Sequence, residues 1–266
     1  MKGIWRVGLL LLLMFALAPF AAMLLTALKD NGEIATHPLL PGRWVWGNLI
    51  EVWHSALPVY FRNTLIIASC ATILNLAVAL PAAYALARLP VPGVSVWRMG
   101  LLVTQMFSPV VLVVSLYRIA ASTGLTNSLV GLILVNAAYS LAFSVWMLSA
   151  CLAAVPEEME EAARIDGCGR LSAFRRVTLP AAAPGVVTTL IFVFIASWNE
   201  FVVAFTFLSS PELKPLTVGL FDFASAYAPQ WPMLMAASMW AILPVGALFI
   251  AIEGRLAEGL TAGSVK

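Results

Sequence analysis

The chain has 266 residues, of which 62% are hydrophobic and 11% charged, and its mean hydropathy is +0.95. Soluble globular domains contain roughly 45–50% apolar residues, so this composition excludes an ordinary soluble fold and predicts an integral membrane protein. The net charge of +2 is small and scattered, which excludes an electrostatic surface for nucleic acid.

Cysteines and histidines do not have the spacing of a metal site or of a disulfide framework. Cys70 and Cys151 lie in apolar segments, and Cys168 lies in a charged loop. His37 and His54 are seventeen residues apart in one polar loop, with no further candidate ligand nearby. We interpret the cysteines as small apolar fillers and the histidines as solvated, so no metal and no cofactor are predicted.

Six apolar segments are long enough to cross a bilayer, because a helix of about 20 residues spans the hydrocarbon core. The first follows Lys2 and Arg6 and continues past Ala18, so we interpret it as a retained helix and not as a cleaved leader. Gln105 and Pro109 predict a kink in the third. The sequence therefore predicts an all-α polytopic protein with a single transmembrane domain and spans at residues 7–28, 64–87, 99–117, 128–152, 184–208 and 233–252.

The loop between the first two predicted spans, residues 29–62, contains several aromatic residues. Among them are Trp44, Trp46 and Trp53. Tryptophan is enriched where a membrane meets water, so we interpret these three as interface anchors, with a sugar-stacking surface as the alternative.

Polar residues inside the predicted spans mark either helix contacts or a solute path, because burying them in lipid is costly. Ser69, Thr72 and Asn75 form one stripe on the second span, and a second stripe follows helical spacing on the fourth. Glu200, the only acid within a span, is either a functional carboxylate or a local cap. The candidate translocation residues are Asn136, Tyr139, Ser140, Trp198, Asn199 and Glu200.

The only long charged block of the chain is residues 156–180, which contains nine of the 28 charged residues. Pro156 suits the first turn of a helix, and Glu160 and Arg164 have the spacing of an i,i+4 ion pair. Gly167 is suited to a left-handed helix stop. The block is predicted to form two short helices joined at this glycine, which together make a docking element.

The distribution of basic residues predicts the orientation of the chain. Ten of the 15 lysines and arginines fall on one side if both termini and the charged block are cytoplasmic, and five fall on the other. Because cytoplasmic loops are enriched in Lys and Arg, both ends are predicted to face the cytoplasm.

The charged block resembles the EAA loop of permease subunits in binding-protein-dependent ABC importers. The matching residues are Glu161-Ala162-Ala163, three residues, Gly167, nine residues, Val177, one residue and Leu179-Pro180. Val177 stands where isoleucine is usual. The segments Pro81–Arg88 and Gly124–Asn127, the run Trp198–Phe201 and the tail Gly259–Lys266 are similar to the carbohydrate-importing, maltose-permease G-type branch.

The resemblance implies a type I importer permease fold with a cytoplasmic coupling helix in the bacterial inner membrane. It also implies a heteromeric complex with a homologous second permease subunit, two cytoplasmic ATP-binding subunits and an extracytoplasmic solute-binding protein. The region from Leu208 to Trp231 is expected to meet the binding protein. The residues implied to contact the ATP-binding subunit are Glu161, Ala162, Ala163, Asp166, Gly167, Leu179 and Pro180.

The chain itself is predicted not to be an enzyme. None of its four lysines belongs to a Gly-Lys-Ser/Thr phosphate loop, so the energy for transport has to come from a partner. The preferred function is the permease subunit of a carbohydrate ABC importer that works by alternating access. Alternatives are a permease for another solute, such as glycerol phosphate or an oligopeptide, and a proton-coupled carrier that uses Glu200.

Overall fold

A computed structural model describes the backbone of residues 2–36, 40–224 and 229–262 and the side chains of residues 5–36, 40–224 and 229–250. His37 and the last four residues of the C-terminal tail, 263–266, lie outside the described residues. Throughout the described ranges the secondary structure is helical and contains no strand. The helices are α1 (Lys2–Ala27), α2 (Asn48–Glu51), α3 (Leu57–Arg88), α4 (Val94–Thr104), α5 (Pro109–Ser122), α6 (Leu129–Ala153), α7 (Glu157–Ile165), α8 (Arg170–Ala173), α9 (Leu179–Ala181), α10 (Ala183–Trp198), α11 (Val202–Phe207), α12 (Leu216–Gly219) and α13 (Trp231–Ala262).

Four of these helices are long and apolar enough to cross a membrane. They are residues Trp5–Ala27 of α1, the whole of α3 and α6, and residues Trp231–Ile250 of α13. Two further pairs reach the required length only when each bent pair is taken as one span, which gives up to six. The chain therefore has the all-α architecture that its composition predicts.

The third predicted span, residues 99–117, is not one helix. It consists of α4 and α5, which are bent by 95° at a break of four residues. The proline at the start of α5, Pro109, lacks an N–H and so begins a helix without losing a bond. The sequence correctly placed the break, but the bend is far larger than a kink.

The fifth predicted span, residues 184–208, is also interrupted. Helix α10 ends at Trp198 and α11 begins at Val202, so Asn199, Glu200 and Phe201 form a non-helical link. Before α10, the segment Arg170–Ala181 meets it at 78°. Both interruptions leave backbone groups that other atoms have to satisfy.

Internal packing divides the chain into two units, residues 1–62 with 214–246 and residues 63–213 with 247–266. In the second unit α3 packs against α6 through small residues. Ala79 and Ala83 are fully buried against Leu148 and Leu152. Small side chains let helix backbones approach closely in a membrane, where van der Waals contact replaces the hydrophobic effect.

One residue of the polar stripe on α3, Asn75, takes part in this helix contact. Asn75 donates from Nδ2 to the Ala137 carbonyl of α6 at 2.8 Å, and Thr72 donates to the Ala68 carbonyl of its own helix. On α6, Ser144 likewise donates to the Ser140 carbonyl. For Asn75 the structure therefore favours helix packing over a solute path.

In the first unit a loop folds back on the end of α1. The Val45 N–H donates to the Leu28 carbonyl at 2.9 Å. Trp44 and Trp46 are both exposed, and their rings stack with centroids 6.1 Å apart. This exposure is compatible with both interpretations, an interface anchor and a sugar-stacking surface. Trp53 differs from them, because its ring packs edge-on against Trp240 at 5.1 Å.

Gly131 near the start of α6 generates a stability prediction. A Cβ at this position would overlap the Leu125 carbonyl oxygen, which is backbone and cannot rotate away. We expect Gly131→Ala to cost about 1–3 kcal/mol of stability, measured as a lower melting temperature in detergent. Gly246→Ala in α13 is the control, because nothing lies within 4 Å of the place that its new methyl group would occupy, and helix propensity favours alanine. Equal melting temperatures for the two variants would contradict the packing.

Candidate functional site

The loop between α6 and α10 contains the charged block of residues 156–180. Helix α7 follows Pro156 and has Glu157, Glu158 and Glu160 in its first turn, where the helix dipole favours negative charge. It ends in a Schellman motif, because the Gly167 N–H donates to the Arg164 carbonyl and the Cys168 N–H to the Ala163 carbonyl. Two helical pieces joined at this turn are what the sequence predicts.

The turn requires glycine. Gly167 has a φ of +88°, a left-handed conformation in which a Cβ is unfavourable. After it, α8, a π-helical turn at Phe174–Thr178 and α9 lead back towards α10. The local sequence thus determines the turn between the two halves of the loop.

One face of the loop is open to solvent. Three of its large apolar side chains are exposed, namely Met159, Ile165 and Leu171. Exposed apolar residues of this size grouped on a charged loop suit contact with another protein. Of the predicted coupling residues, Glu161, Ala162, Asp166, Gly167 and Pro180 are exposed, whereas Ala163 and Leu179 are half-buried.

A buried carboxylate, that of Glu160, attaches the loop to the rest of the chain. Glu160 is 8% exposed and accepts hydrogen bonds from the Tyr84 hydroxyl and, at 3.0 Å, from Thr178 Oγ1. Arg88 Nε lies 3.6 Å from its Oε2. The carboxylate therefore joins α7 to the second half of the loop and to the end of α3.

Arg88 makes further contacts with the same loop. Its guanidinium donates to the Val155 carbonyl, just before α7, and lies 3.3 Å from Glu157 Oε1. Its side chain is 6% exposed, so these groups replace water around a buried cation.

Sequence reasoning missed this cluster. It paired Glu160 with Arg164 across one turn of α7, but the charged partner of Glu160 is Arg88, and the exposed Arg164 only lines the same small pocket. The available signal was the i,i+4 spacing of Tyr84 and Arg88, the only hydroxyl and the only charge in the last two turns of an apolar helix.

The candidate translocation residues come together around a cavity of about 280 Å³ in the second unit. Asn136, Tyr139 and Ser140 of α6 line one side, and Asn199 and Glu200 of the non-helical link line the other. Pro109, at the start of α5, also contributes. The structure thus joins two sets of residues that lie about sixty positions apart in the sequence.

Trp198 is the exception among the predicted path residues. Its side chain is buried and stacks with Phe194 at 5.6 Å, and it is not among the residues that line the cavity. We therefore assign it to helix packing.

Glu200 makes the local cap that the sequence offers as one alternative. Its carboxylate accepts the backbone N–H groups of Val203 at 2.7 Å and Ala204 at 2.9 Å, so it caps α11. It also lines the cavity. A single acid thus closes the break in the chain and supplies polarity to the space beside it.

Comparison with known proteins gives consistent matches over nearly the whole chain. A family described as "Binding-protein-dependent transport system inner membrane component" matches residues 9–258. The diacetylchitobiose uptake system permease protein DasC of Streptomyces coelicolor is 38% identical over 78% of this chain and 75% of its own. The trehalose/maltose transport system permease protein MalG of Thermococcus litoralis is 28% identical over 98% and 95%.

A solved structure supports the fold. In the crystal structure of a bacterial ABC transporter involved in the import of the acidic polysaccharide alginate, one chain matches with a TM-score of 0.80. The match covers 95% of both chains at 22% identity. The chain thus has the fold of a type I importer permease.

The cap at Glu200 can be separated from the lining of the cavity. We expect Glu200→Ala to cost about 1 kcal/mol and to speed amide exchange at Val203 and Ala204 about fivefold, because both N–H groups lose their acceptor. Hydrogen exchange with mass spectrometry on the chain in nanodiscs measures this. Asn199→Ala is the matched control, since Asn199 lines the same cavity and does not accept these bonds. Unchanged exchange in Glu200→Ala would rule out the cap.

Proposed function

Because the chain belongs to the family of binding-protein-dependent transport system inner membrane components, we propose that it is one of two permease subunits of a carbohydrate ABC importer. The family is that of a transport subunit, and hydrolysis of ATP is assigned to partner chains. The observation that carries the proposal is the loop of residues 156–180, whose EAA residues form an exposed surface over a buried ionic base.

The carbohydrate assignment rests on the relatives. The names of DasC and MalG specify diacetylchitobiose and trehalose or maltose, and the related fold belongs to an importer of alginate. These solutes are all saccharides of more than one unit. The cavity is lined mainly by apolar groups, and its few amide, hydroxyl and carboxylate groups suit the hydroxyl groups of such solutes.

The coupling loop is proposed to dock in a cleft of an ATP-binding subunit. Ala162 and Ala163 present little side chain, which lets a partner backbone approach, and Ile165 supplies an exposed apolar contact. Helix-in-groove recognition uses this combination of a small face and apolar anchors. Closure of the ATP-binding subunits would move the loop and switch the bundle between inward-open and outward-open states.

The remaining partners follow from this assembly. We propose six spans in one permease domain with both termini in the cytoplasm, and a homologous second permease beside it. An extracytoplasmic binding protein would deliver the solute to the region 208–231, of which residues 225–228 lie outside the described residues. In that region Lys214 forms a 2.7 Å ion pair with Asp222.

Co-purification tests the proposed function. The tagged chain is isolated from its native membrane in mild detergent, its bound subunits are identified, and ATP hydrolysis is assayed with candidate binding proteins loaded with sugar. Recovery with an ATPase and a second permease, and stimulation by a saccharide-loaded binding protein, are expected. Recovery alone, with transport that collapses with the proton gradient, would replace the proposal by a secondary carrier.

Two changes in the loop should uncouple ATP hydrolysis from transport. Glu161→Lys reverses an exposed charge on the docking face, and Gly167→Pro cannot adopt the left-handed turn. We expect each to lower uptake about tenfold or more, which corresponds to about 1.4 kcal/mol of docking energy, without loss of membrane insertion. Glu51→Lys, the same charge reversal at the exposed end of α2, is the control. Normal uptake by both loop variants would exclude the docking role.

The cavity can be tested separately from the loop. Asn136→Leu or Ser140→Leu removes a polar group and fills space, so uptake should fall about tenfold while the ATPase still co-purifies. Ser144→Ala is the control, because Ser144 is buried on the same helix and does not line the cavity. An unchanged uptake rate in both leucine variants would place the solute path elsewhere.

A further inference from the structure

The buried cluster around Glu160 connects parts of the chain that are far apart in sequence. Tyr84 and Arg88 belong to the last two turns of α3, Glu160 to the first turn of α7, and Thr178 to the returning half of the loop. Each oxygen of the carboxylate has a separate donor, because Tyr84 donates to Oε1 and Thr178 to Oε2. One side chain thus holds both halves of the coupling loop against α3.

Arg88 completes the connection from the α3 side. It contacts the Val155 carbonyl, Glu157 and Glu160, so it spans the junction at which α6 ends and α7 begins. Its Nε is buried, has no hydrogen-bond acceptor within reach in the described structure, and faces Glu160. The cation is held by charge and by the surrounding carbonyl and carboxylates, and any movement of α7 away from α3 would expose it.

An apolar cluster of α3 and α6 lies next to the Glu160 cluster. Ala79 and Ala83 of α3 are fully buried against Leu148 and Leu152 of α6. Phe174 of the loop packs on this cluster and contacts the Tyr84 ring at 4.7 Å. The cytoplasmic end of α3 is therefore bound to the loop on two sides, by charge and by an aromatic contact.

We propose that Arg88 and Glu160 are positioning residues that make the coupling loop and the end of α3 one mechanical unit, so that displacement of the loop moves α3. This inference rests on the proposed function. Further along α3, Asn75 bonds to the Ala137 carbonyl, next to Asn136 at the cavity. Helix α3 thus runs from the loop to the helix that lines the candidate path.

The alternative is transmission through the covalent continuity of the loop with α6 and α10. In that case the cluster only stabilises the fold. The two cases differ in what happens when the charge is removed and the side-chain shape is retained, since Glu160→Gln still accepts from Tyr84 or Thr178 but no longer attracts Arg88.

Hydrogen exchange measures the connection directly in the full chain in nanodiscs, with its co-purified subunits. We expect Glu160→Gln to speed exchange of the amides of α7 about tenfold. Glu158→Gln is the matched control, because Glu158 is exposed on the same turn of the helix. If α7 exchanges equally in the two variants, the loop is not held by this carboxylate and the inference fails. This measurement needs no transport assay, so it stands even where no ATPase is recovered.

The second measurement is the number of solute molecules moved per ATP hydrolysed in proteoliposomes. Arg88→Ala should lower this ratio about tenfold although the ATPase still binds, and Arg88→Lys, which keeps the charge but not the fork of donors, should recover part of it. Arg98→Ala is the control, since Arg98 lies at the same end of the bundle and donates only to the Leu86 carbonyl.

A wild-type ratio in Arg88→Ala and Glu160→Gln, with the ATPase bound, would overturn the mechanical role and leave the proposed function intact. Failure of the wild-type chain to recover any ATPase would instead remove the proposed function. If Arg88→Ala does not insert, the ratio in Glu160→Gln decides alone.

Discussion

The constraint on which the structure depends is that a backbone in lipid has to satisfy its own hydrogen bonds. Continuous helices do so without help, and α3 and α6 follow this solution from end to end. The described chain breaks this pattern at three places, and two of these breaks, the one before Pro109 and the one at Asn199–Phe201, border the same cavity. At one of them Glu200 accepts the N–H groups that α11 leaves free. At these two places the irregular backbone therefore lies beside a cavity, as expected where backbone groups are not satisfied within a helix.

Buried polar groups also need partners in the charged block of residues 156–180. A buried carboxylate is tolerated only if donors surround it, and Glu160 has a phenol, a hydroxyl and a guanidinium as neighbours. The exposed face of the same loop carries small and apolar residues that suit a partner. The loop is thus divided into a face that fixes it to its own chain and a face left available for another subunit.

Much of this architecture was predictable from the sequence, because apolar length and the Pro156 and Gly167 signals are local. The family and the type I fold were correctly predicted from the EAA spacing. The 95° bend could not be predicted, because two short apolar helices have the same summed hydropathy as one long helix. The pairing of Glu160 with Arg88 was missed because i,i+4 spacing identifies only neighbours on the same helix. Arg88 is 72 residues away in the sequence and lies on another helix. The cavity depended likewise on tertiary contact between α6 and the link after α10, which no local pattern encodes.

Helix α1 differs from the other long helices in one respect that bears on biogenesis. Over 18 residues of its apolar stretch no residue is buried against the rest of the chain, and burial begins only at Ala27, whereas 44% of an equally long stretch of α6 is buried. Contacts within the chain therefore contribute little to keeping this stretch of α1 in the bilayer, whereas its transfer into lipid is favourable as soon as the segment leaves the ribosome. Helix α6, with Asn136, Ser140 and Ser144 facing protein, gains its full stability only after its neighbours have been synthesised. Insertion of α1 and assembly of the later helices are in this sense separate events in the maturation of the protein.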